Sequence, residues 1–258
     1  MSEATLELPP VVSAEEWKAA RQGILIKEKE LTKAHDALAV ERRALPRLEV
    51  TKEYRFIAPG GEASLLDLFQ GRRQLIVYRH FLEPGVNGWP EAGCPGCSWV
   101  TDQMTHPAHF NARDTTLALV SRAPQEDLAR WKARMGWEVF PWYTLTDEFD
   151  SDHDVGEWHG TNVFYRDDDD RIYRTYFTDG RGDELLGGLW GYLDITPLGR
   201  QEEWEDLPPG YPKDPTNAWL RRHDEYEASE EDEAKIAEEW QKQTDSYRET
   251  HGKGGEGS

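Results

Sequence analysis

The sequence predicts an α/β protein in which helices cover both faces of a mixed β-sheet. Short apolar runs of strand length alternate with helical segments through the middle of the chain. A β-hairpin and a last helix follow this alternation, so the sheet combines parallel and antiparallel strands. A long helix with its own apolar stripe precedes all of these elements.

The N-terminal part is predicted as a disordered lead, 1–12, and an amphipathic helix, 13–46. Ser13 and Glu16 form a capping box at the start of the helix. Apolar residues then recur at every seventh position until Pro46: Trp17, Ile24, Leu31, Leu38 and Leu45. This one-sided stripe favours packing on the protein's own core, and the alternative is a homodimer formed through the helix.

The central domain is predicted over residues 47–200. Its predicted strands are 54–57, 74–81, 115–121, 140–146, 162–166 and 172–178. Its predicted helices are a short one capped by Ser64, then 97–111, 124–135 and 183–194. The order gives three layers, α/β/α, and this is the outline of a thioredoxin-like fold.

Composition excludes several classes of partner. The net charge of −20 argues against binding to nucleic acid or to an anionic membrane. No apolar stretch approaches the roughly 20 residues that span a bilayer. The start of the chain has no pattern of a secretory signal, so a cytoplasmic location is expected.

Two further segments complete the predicted organisation. Residues 201–226 are expected to form an extension that packs on the domain. Residues 227–258 are expected to form an acidic, disordered tail, because 12 Asp or Glu stand against 4 Lys or Arg from His223 to the end.

The only two cysteines form the motif Cys94-Pro95-Gly96-Cys97, placed between a predicted strand and a predicted helix. In this context a Cys-x-x-Cys pair is typical of thiol-disulfide chemistry. A helix start lowers the pKa of a thiol, so Cys94 is the predicted nucleophile and Cys97 the resolving thiol. Pro95 suits the first helical position, and Gly96 allows a substrate to approach closely. This chemistry needs no bound cofactor.

Two other interpretations of the pair stay open. The cysteines could be small buried hydrophobes, or they could bind zinc with histidines such as His80 and His106; no metal is our expectation. His80 ends the strand before the cysteine loop, where it either tunes the thiolate or makes a strand-end hydrogen bond. Trp89 and Trp99 flank the loop and are further candidates for shaping the site.

Many linked motifs resemble a bacterial family, domain of unknown function 899, which is grouped with thioredoxin-like proteins. The motifs are 28–32 (EKELT), 42–46 (RRALP), 74–78 (QLIVY), 93–98 (GCPGCS), 111–114 (NARD), 120–124 (VSRAP), 136–137 (GW), 194–200 (DITPLGR) and 219–226 (WLRRHDEY). The resemblance covers about residues 15–226. It implies the thioredoxin-like fold.

Compared with thioredoxins, the chain differs at the position that faces the cysteines. Thioredoxins have a cis-proline there, whereas this chain has Gly160-Thr161-Asn162, so Thr161 is a candidate site residue. Pro141 precedes an earlier strand, much as in peroxiredoxins, but the peroxidatic Pro-x-x-x-Thr-x-x-Cys pattern is absent.

We therefore expect, first, a thiol-disulfide oxidoreductase acting on a protein or on a small thiol or disulfide. A redox-inert or redox-sensing interaction module is second. A peroxiredoxin-like peroxidase is third.

Overall fold

The structure is a computed structural model that describes residues 9–86, 88–155, 159–206 and 213–226, together with Lys235, Glu238 and Lys242. Most of the predicted lead and almost all of the predicted tail therefore lie outside the described residues. Within the described part of the chain, no helix is long and apolar enough to cross a membrane.

Eight strands form one mixed sheet in the order β1-β8-β7-β4-β5-β6-β2-β3. The strands are β1 (Leu48–Val50), β2 (Arg55–Ala58), β3 (Gly61–Ser64), β4 (Gln74–Arg79), β5 (Thr115–Ser121), β6 (Trp142–Leu145), β7 (Gly160–Arg166) and β8 (Ile172–Thr178). The helices are α1 (Ala14–Arg43), α2 (Leu65–Leu68), α3 (Pro95–Asp102), α4 (Pro107–Asn111), α5 (Gln125–Met135), α6 (Phe149–Asp152) and α7 (Gly188–Asp194), with a 3-10 helix at Gly180–Leu186.

The strand β4 lies near the middle of the sheet and has a core on each side. It runs parallel to β5 and antiparallel to β7. Leu75 and Val77 point into a core that contains α2 and α6, whereas Tyr78 points into a core that contains the cysteines and α5. The chain thus has the predicted thioredoxin-like α/β fold, in which β4 leads into the cysteine loop.

Two predicted helices are each interrupted. The predicted helix 97–111 is two helices, α3 and α4, because Pro107 lacks an amide hydrogen and restricts the residue before it. The predicted helix 183–194 breaks at Gly187, which ends the 3-10 helix with an extended backbone before α7 begins. A Cβ at Gly187 would lie 2.1 Å from the ring of Trp190, so the chain turns where only glycine fits.

The helix α1 forms as predicted, with both hydrogen bonds of the Ser13–Glu16 capping box, but the expected packing of its stripe on the domain is wrong. None of its residues is buried, and the five stripe residues are between 40% and 71% exposed. Contact with the domain occurs at the helix end, where Arg42 stacks on the Tyr176 ring at 5.1 Å. The sheet is already covered by shorter helices, so the stripe of α1 faces outward.

Candidate active site around Cys94 and Cys97

Cys94 lies where the loop after β4 meets the first turn of α3. It is the N-cap of α3, and Pro95 occupies the first helical position. The Cys94 sulfur accepts a hydrogen bond from the Cys97 backbone amide at 3.5 Å. Unpaired amides at a helix start favour negative charge, so the local fold places Cys94 where a thiolate is stabilised.

The two thiols differ in acidity. The pKa of Cys94 is lowered to about 7, mainly by a hydrogen bond from the Cys97 side chain. The Cys97 backbone amide and the positive charges of His159 and Arg222 also lower it, and together these effects outweigh burial. The pKa of Cys97 is raised well above its ordinary value by burial and by the adjacent Cys94. Both cysteines are free and only 2% exposed. Cys94 is therefore the nucleophile favoured by the electrostatics of the site.

The loop before Cys94 is held tightly against His80. The Cys94 amide donates to the Phe81 carbonyl at 2.9 Å. A Cβ on Gly93 would lie 2.7 Å from His80 Nε2, so glycine is required at this close approach. Substitution at Gly93 would push the loop, and with it Cys94, away from β4.

His80 is fixed from the other side by α3. The Thr101 hydroxyl donates to the Cys97 carbonyl at 2.9 Å, so it accepts from His80 Nδ1 at 3.1 Å. Burial, followed by the charges of Arg79, Arg222 and His159, lowers the pKa of His80 well below its ordinary value. His80 is thus a neutral, structural neighbour of the site.

The start of β7 brings a second group of polar residues to the cysteines. Thr161 pairs with Tyr78 on β4, and its hydroxyl donates to Asp183 Oδ1 at 3.0 Å. His159 Nε2 lies 3.3 Å from Asp183 Oδ2. The rings of Tyr78 and His159 are 6.4 Å apart, and Tyr78 interacts with Cys97. These contacts link Thr161, Asp183 and His159 to Tyr78, which in turn interacts with Cys97.

The C-terminal segment 213–226 contacts the loop before Cys94 and the helices beside it. Arg222 donates to the Gly93 carbonyl at 2.9 Å and 2.6 Å. His223 Nδ1 lies 2.8 Å from Asp102 Oδ1 on α3, and Arg134 on α5 binds Asp224 at 2.6 Å. These contacts join the segment to both helices that flank the cysteines.

The two tryptophans that flank the loop, Trp89 and Trp99, pack in different hydrophobic clusters. Trp89 packs against the core that contains the cysteines, and the Trp89–Pro90 peptide bond is cis. Trp99 belongs instead to a cluster with Trp190 and Leu220. Trp99 therefore joins α3 to the C-terminal part of the chain.

The histidines that were considered for zinc have other partners. His80 binds Thr101, and His106 is exposed and caps α4 by accepting from the Ala108 amide at 3.2 Å. Across the described residues, no group of three or more His, Cys, Asp or Glu side chains is placed to hold a metal ion.

A cavity of about 640 Å³ lies elsewhere, between β1, β2, β3 and α2. Its lining includes Lys52, Glu62 and Arg171 and none of the residues that surround the cysteines. The dithiol therefore lies outside this cavity.

The family model of the bacterial protein of unknown function DUF899 matches residues 6–226 of the chain. The chain belongs to this family. Among curated proteins, none matches the sequence significantly.

Two solved structures are similar to this DUF899 protein, at low identity. A thiol:disulfide interchange protein from Bacteroides sp. is 17% identical with a TM-score of 0.38, and the match covers 62% of this chain and 96% of that chain. A yeast mitochondrial 1-Cys peroxiredoxin is 14% identical with a TM-score of 0.34, and the match covers 63% and 84%.

Sequence patterns do not reveal four residues of this DUF899 site: Tyr78, His159, Asp183 and Arg222. Tyr78 and Arg222 lie in motifs that carry the family resemblance, 74–78 and 219–226, and this was the available signal. His159 and Asp183 lie in no motif. They meet because the start of β7 pairs with the end of β4 and the 3-10 helix follows β8.

Proposed function

We propose that this protein is a thiol-disulfide oxidoreductase in which Cys94 attacks and Cys97 resolves. The observation that carries the proposal is the position of Cys94 as the N-cap of α3, where its sulfur accepts a hydrogen bond from the Cys97 amide at 3.5 Å. This geometry agrees with the lowered pKa of Cys94 and the raised pKa of Cys97. An attacking thiol is most effective when its pKa is near the ambient pH, and Cys94 meets that condition.

The reaction has two exchange steps. The Cys94 thiolate attacks one sulfur of a substrate disulfide, which forms a mixed disulfide and releases the other substrate sulfur as a thiol after it takes a proton. The Cys97 thiol then loses its proton and attacks Cys94, which releases the second substrate thiol and leaves a Cys94–Cys97 disulfide. Two equivalents of a low-molecular-weight thiol, or a partner dithiol reductase, return the pair to the reduced form.

The environment of the dithiol favours small substrates. Both cysteines are buried beneath the loop that carries Gly93 and the segment that carries Arg222. A low-molecular-weight disulfide can reach such a site more easily than a disulfide in a folded protein. A free dithiol is maintained in a reducing compartment, so the proposal includes a cytoplasmic location.

Mixed-disulfide trapping tests the proposal. With oxidised glutathione as substrate, Cys97→Ser should accumulate one glutathione on Cys94, measured by mass spectrometry, because no resolving thiol is present. Cys94→Ser should accumulate far less, and the parent should proceed to the internal disulfide. Equal, slow modification of both single variants would contradict the assignment of roles.

The uncovered face of α1 supports a second candidate function, assembly with another copy. We propose that two α1 helices pair in antiparallel orientation through the exposed stripe. The first turn carries Glu15 and Glu16, and the last turn carries Arg42 and Arg43, so antiparallel helices place opposite charges together. The helix has seven Lys or Arg and six Asp or Glu, so it is nearly neutral. Two copies of α1 therefore do not repel each other, although the whole chain has a net charge of −20.

A further inference from the structure

His159 is brought to the cysteines by the register of the sheet. Gly160, the first residue of β7, pairs with Arg79, the last residue of β4, and the loop that leads to Cys94 follows. A Cβ at Gly160 would lie 2.8 Å from the Phe177 ring and 3.3 Å from Val155. The chain therefore passes through a space that admits only glycine, which fixes the position of the neighbouring His159.

Asp183 is a buried carboxylate that faces this histidine. It is 2% exposed, and its two oxygens are divided between Thr161 at 3.0 Å and His159 at 3.3 Å. Within the described residues, His159 is the group that forms an ion pair with Asp183. A buried carboxylate without a counter-charge is costly, so protonated His159 completes this site.

We infer that His159, held in place by Asp183, is the acid-base partner of Cys94. This inference rests on the proposed exchange reaction. The imidazolium neutralises the Cys94 thiolate before attack. When the substrate S–S bond breaks and the Cys94–substrate S–S bond forms, the proton of His159 passes to the departing thiolate, which leaves as a thiol. Since Nε2 faces Asp183, the proton on Nδ1 is the one available for transfer.

The charges around the pair agree with this role. Burial opposes protonation of His159, but the nearby carboxylate of Asp183, together with the charges of Cys94 and Asp179, raises its pKa above the ordinary value. The groups that interact with His159 are Asp183 and Asp179 from the 3-10 region, Cys94 at the start of α3, Tyr78 on β4 and His80 directly after β4. His159 and Arg222 are cations whose charges lower the pKa of Cys94.

The test is the pH dependence of Cys94 alkylation by iodoacetamide in a Cys97→Ser background, which requires no turnover. Replacing His159 with Gln removes a nearby positive charge, so the apparent pKa of Cys94 should rise by about one unit and labelling at about pH 6.5 should fall about tenfold. Labelling at about pH 10 should be unchanged, because Cys94 is then a thiolate in both proteins. The matched control is His109→Gln, an exposed histidine on α4 that should leave the profile unaltered.

Asp183→Asn distinguishes a positioning role from a simple charge effect. With His159 present, losing Asp183 should raise the pKa of Cys94, because the imidazolium loses its support. In a His159→Gln background the same change removes only a negative charge and cannot raise it. His159→Lys, which keeps a positive charge, should restore most of the fast labelling.

Titration of His159 in the unsubstituted protein, followed by NMR, covers the case in which the variants do not fold. Because linkage is reciprocal, blocking Cys94 with iodoacetamide should lower the pKa of His159. An unchanged His159 titration, or an unchanged Cys94 profile in folded His159→Gln, would overturn the inference even if exchange occurs. If the pKa of Cys94 is low and depends on His159 but the protein performs no disulfide exchange, only the proposed function is overturned.

Discussion

Arg222 donates two hydrogen bonds, at 2.9 Å and 2.6 Å, to the carbonyl of Gly93, the residue directly before Cys94. These residues are separated by 129 positions in the sequence. The contact joins the C-terminal segment to the cysteine loop and places a buried positive charge beside the thiolate.

Arg222→Met should therefore affect both stability and acidity. Loss of the two donors leaves the Gly93 carbonyl buried without these partners, which should cost about 1–3 kcal/mol in the free energy of unfolding measured in urea. Loss of the charge should raise the pKa of Cys94, measured by alkylation. Arg221→Met is the control, because Arg221 binds carbonyls of its own segment, Ala218 and Leu220. Equal effects of the two substitutions would contradict the role of Arg222.

Two truncations should have opposite outcomes. Deleting residues 228–258 should leave exchange with oxidised glutathione nearly unchanged, because the deleted part carries surplus negative charge and few apolar residues. Deleting from residue 213 onward removes Arg222 and Leu220 and should abolish the fast reaction of Cys94. If the protein that lacks only residues 228–258 unfolds, the domain boundary at about residue 227 is wrong.

Self-association through α1 should appear in light scattering across a range of concentrations. The full chain should reach the mass of a dimer, and a chain without residues 1–46 should stay a well-behaved monomer. Leu31→Glu, which places a charge in the most exposed part of the stripe, should also give a monomer. Gln22→Glu adds the same charge on another side of the helix and should still form dimers. A full-length monomer at all concentrations would refute pairing.

The ion pair between His159 and Asp183 predicts a pH-dependent stability. Because the pKa of His159 is raised in the folded protein, the pair stabilises the fold below the unfolded pKa of about 6.5, and this contribution is lost as pH rises through the folded pKa. Asp183→Asn should therefore reduce the free energy of unfolding more at about pH 6 than at about pH 9. Thr161→Val removes a hydrogen bond to the same carboxylate that does not depend on histidine charge, so its effect should be similar at both values.

The strands that sequence predicts best are those with clear apolar character. The sequence predicts strand β5 at its observed bounds because 117–120 form an apolar run, and all seven residues of the strand are buried. Strands β1 and β3 were missed because they are short and largely exposed, so no apolar run marks them. Helix α6 was missed because its four residues include two aspartates and little periodicity.

Some features of the site can likewise be predicted from the sequence, and others cannot. The position of Cys94 at a helix start follows from residues adjacent in sequence, since Pro95 marks the first helical position. The contact between His159 and Asp183 depends on the pairing of β7 with β4 and on the 3-10 helix after β8. No local pattern links them, so they could be found only in the folded chain.

The most direct test of the central claim is the pH profile of iodoacetamide labelling in the Cys94→Ser and Cys97→Ser variants. Ser at position 97 keeps a hydroxyl donor for Cys94, so the main cause of the low pKa is preserved. We predict an apparent pKa of about 7 for Cys94 and a value for Cys97 above the free value of about 8.5, so Cys94 should react about tenfold or more faster at neutral pH. Equal rates, with both values above about 8.5, would contradict the account.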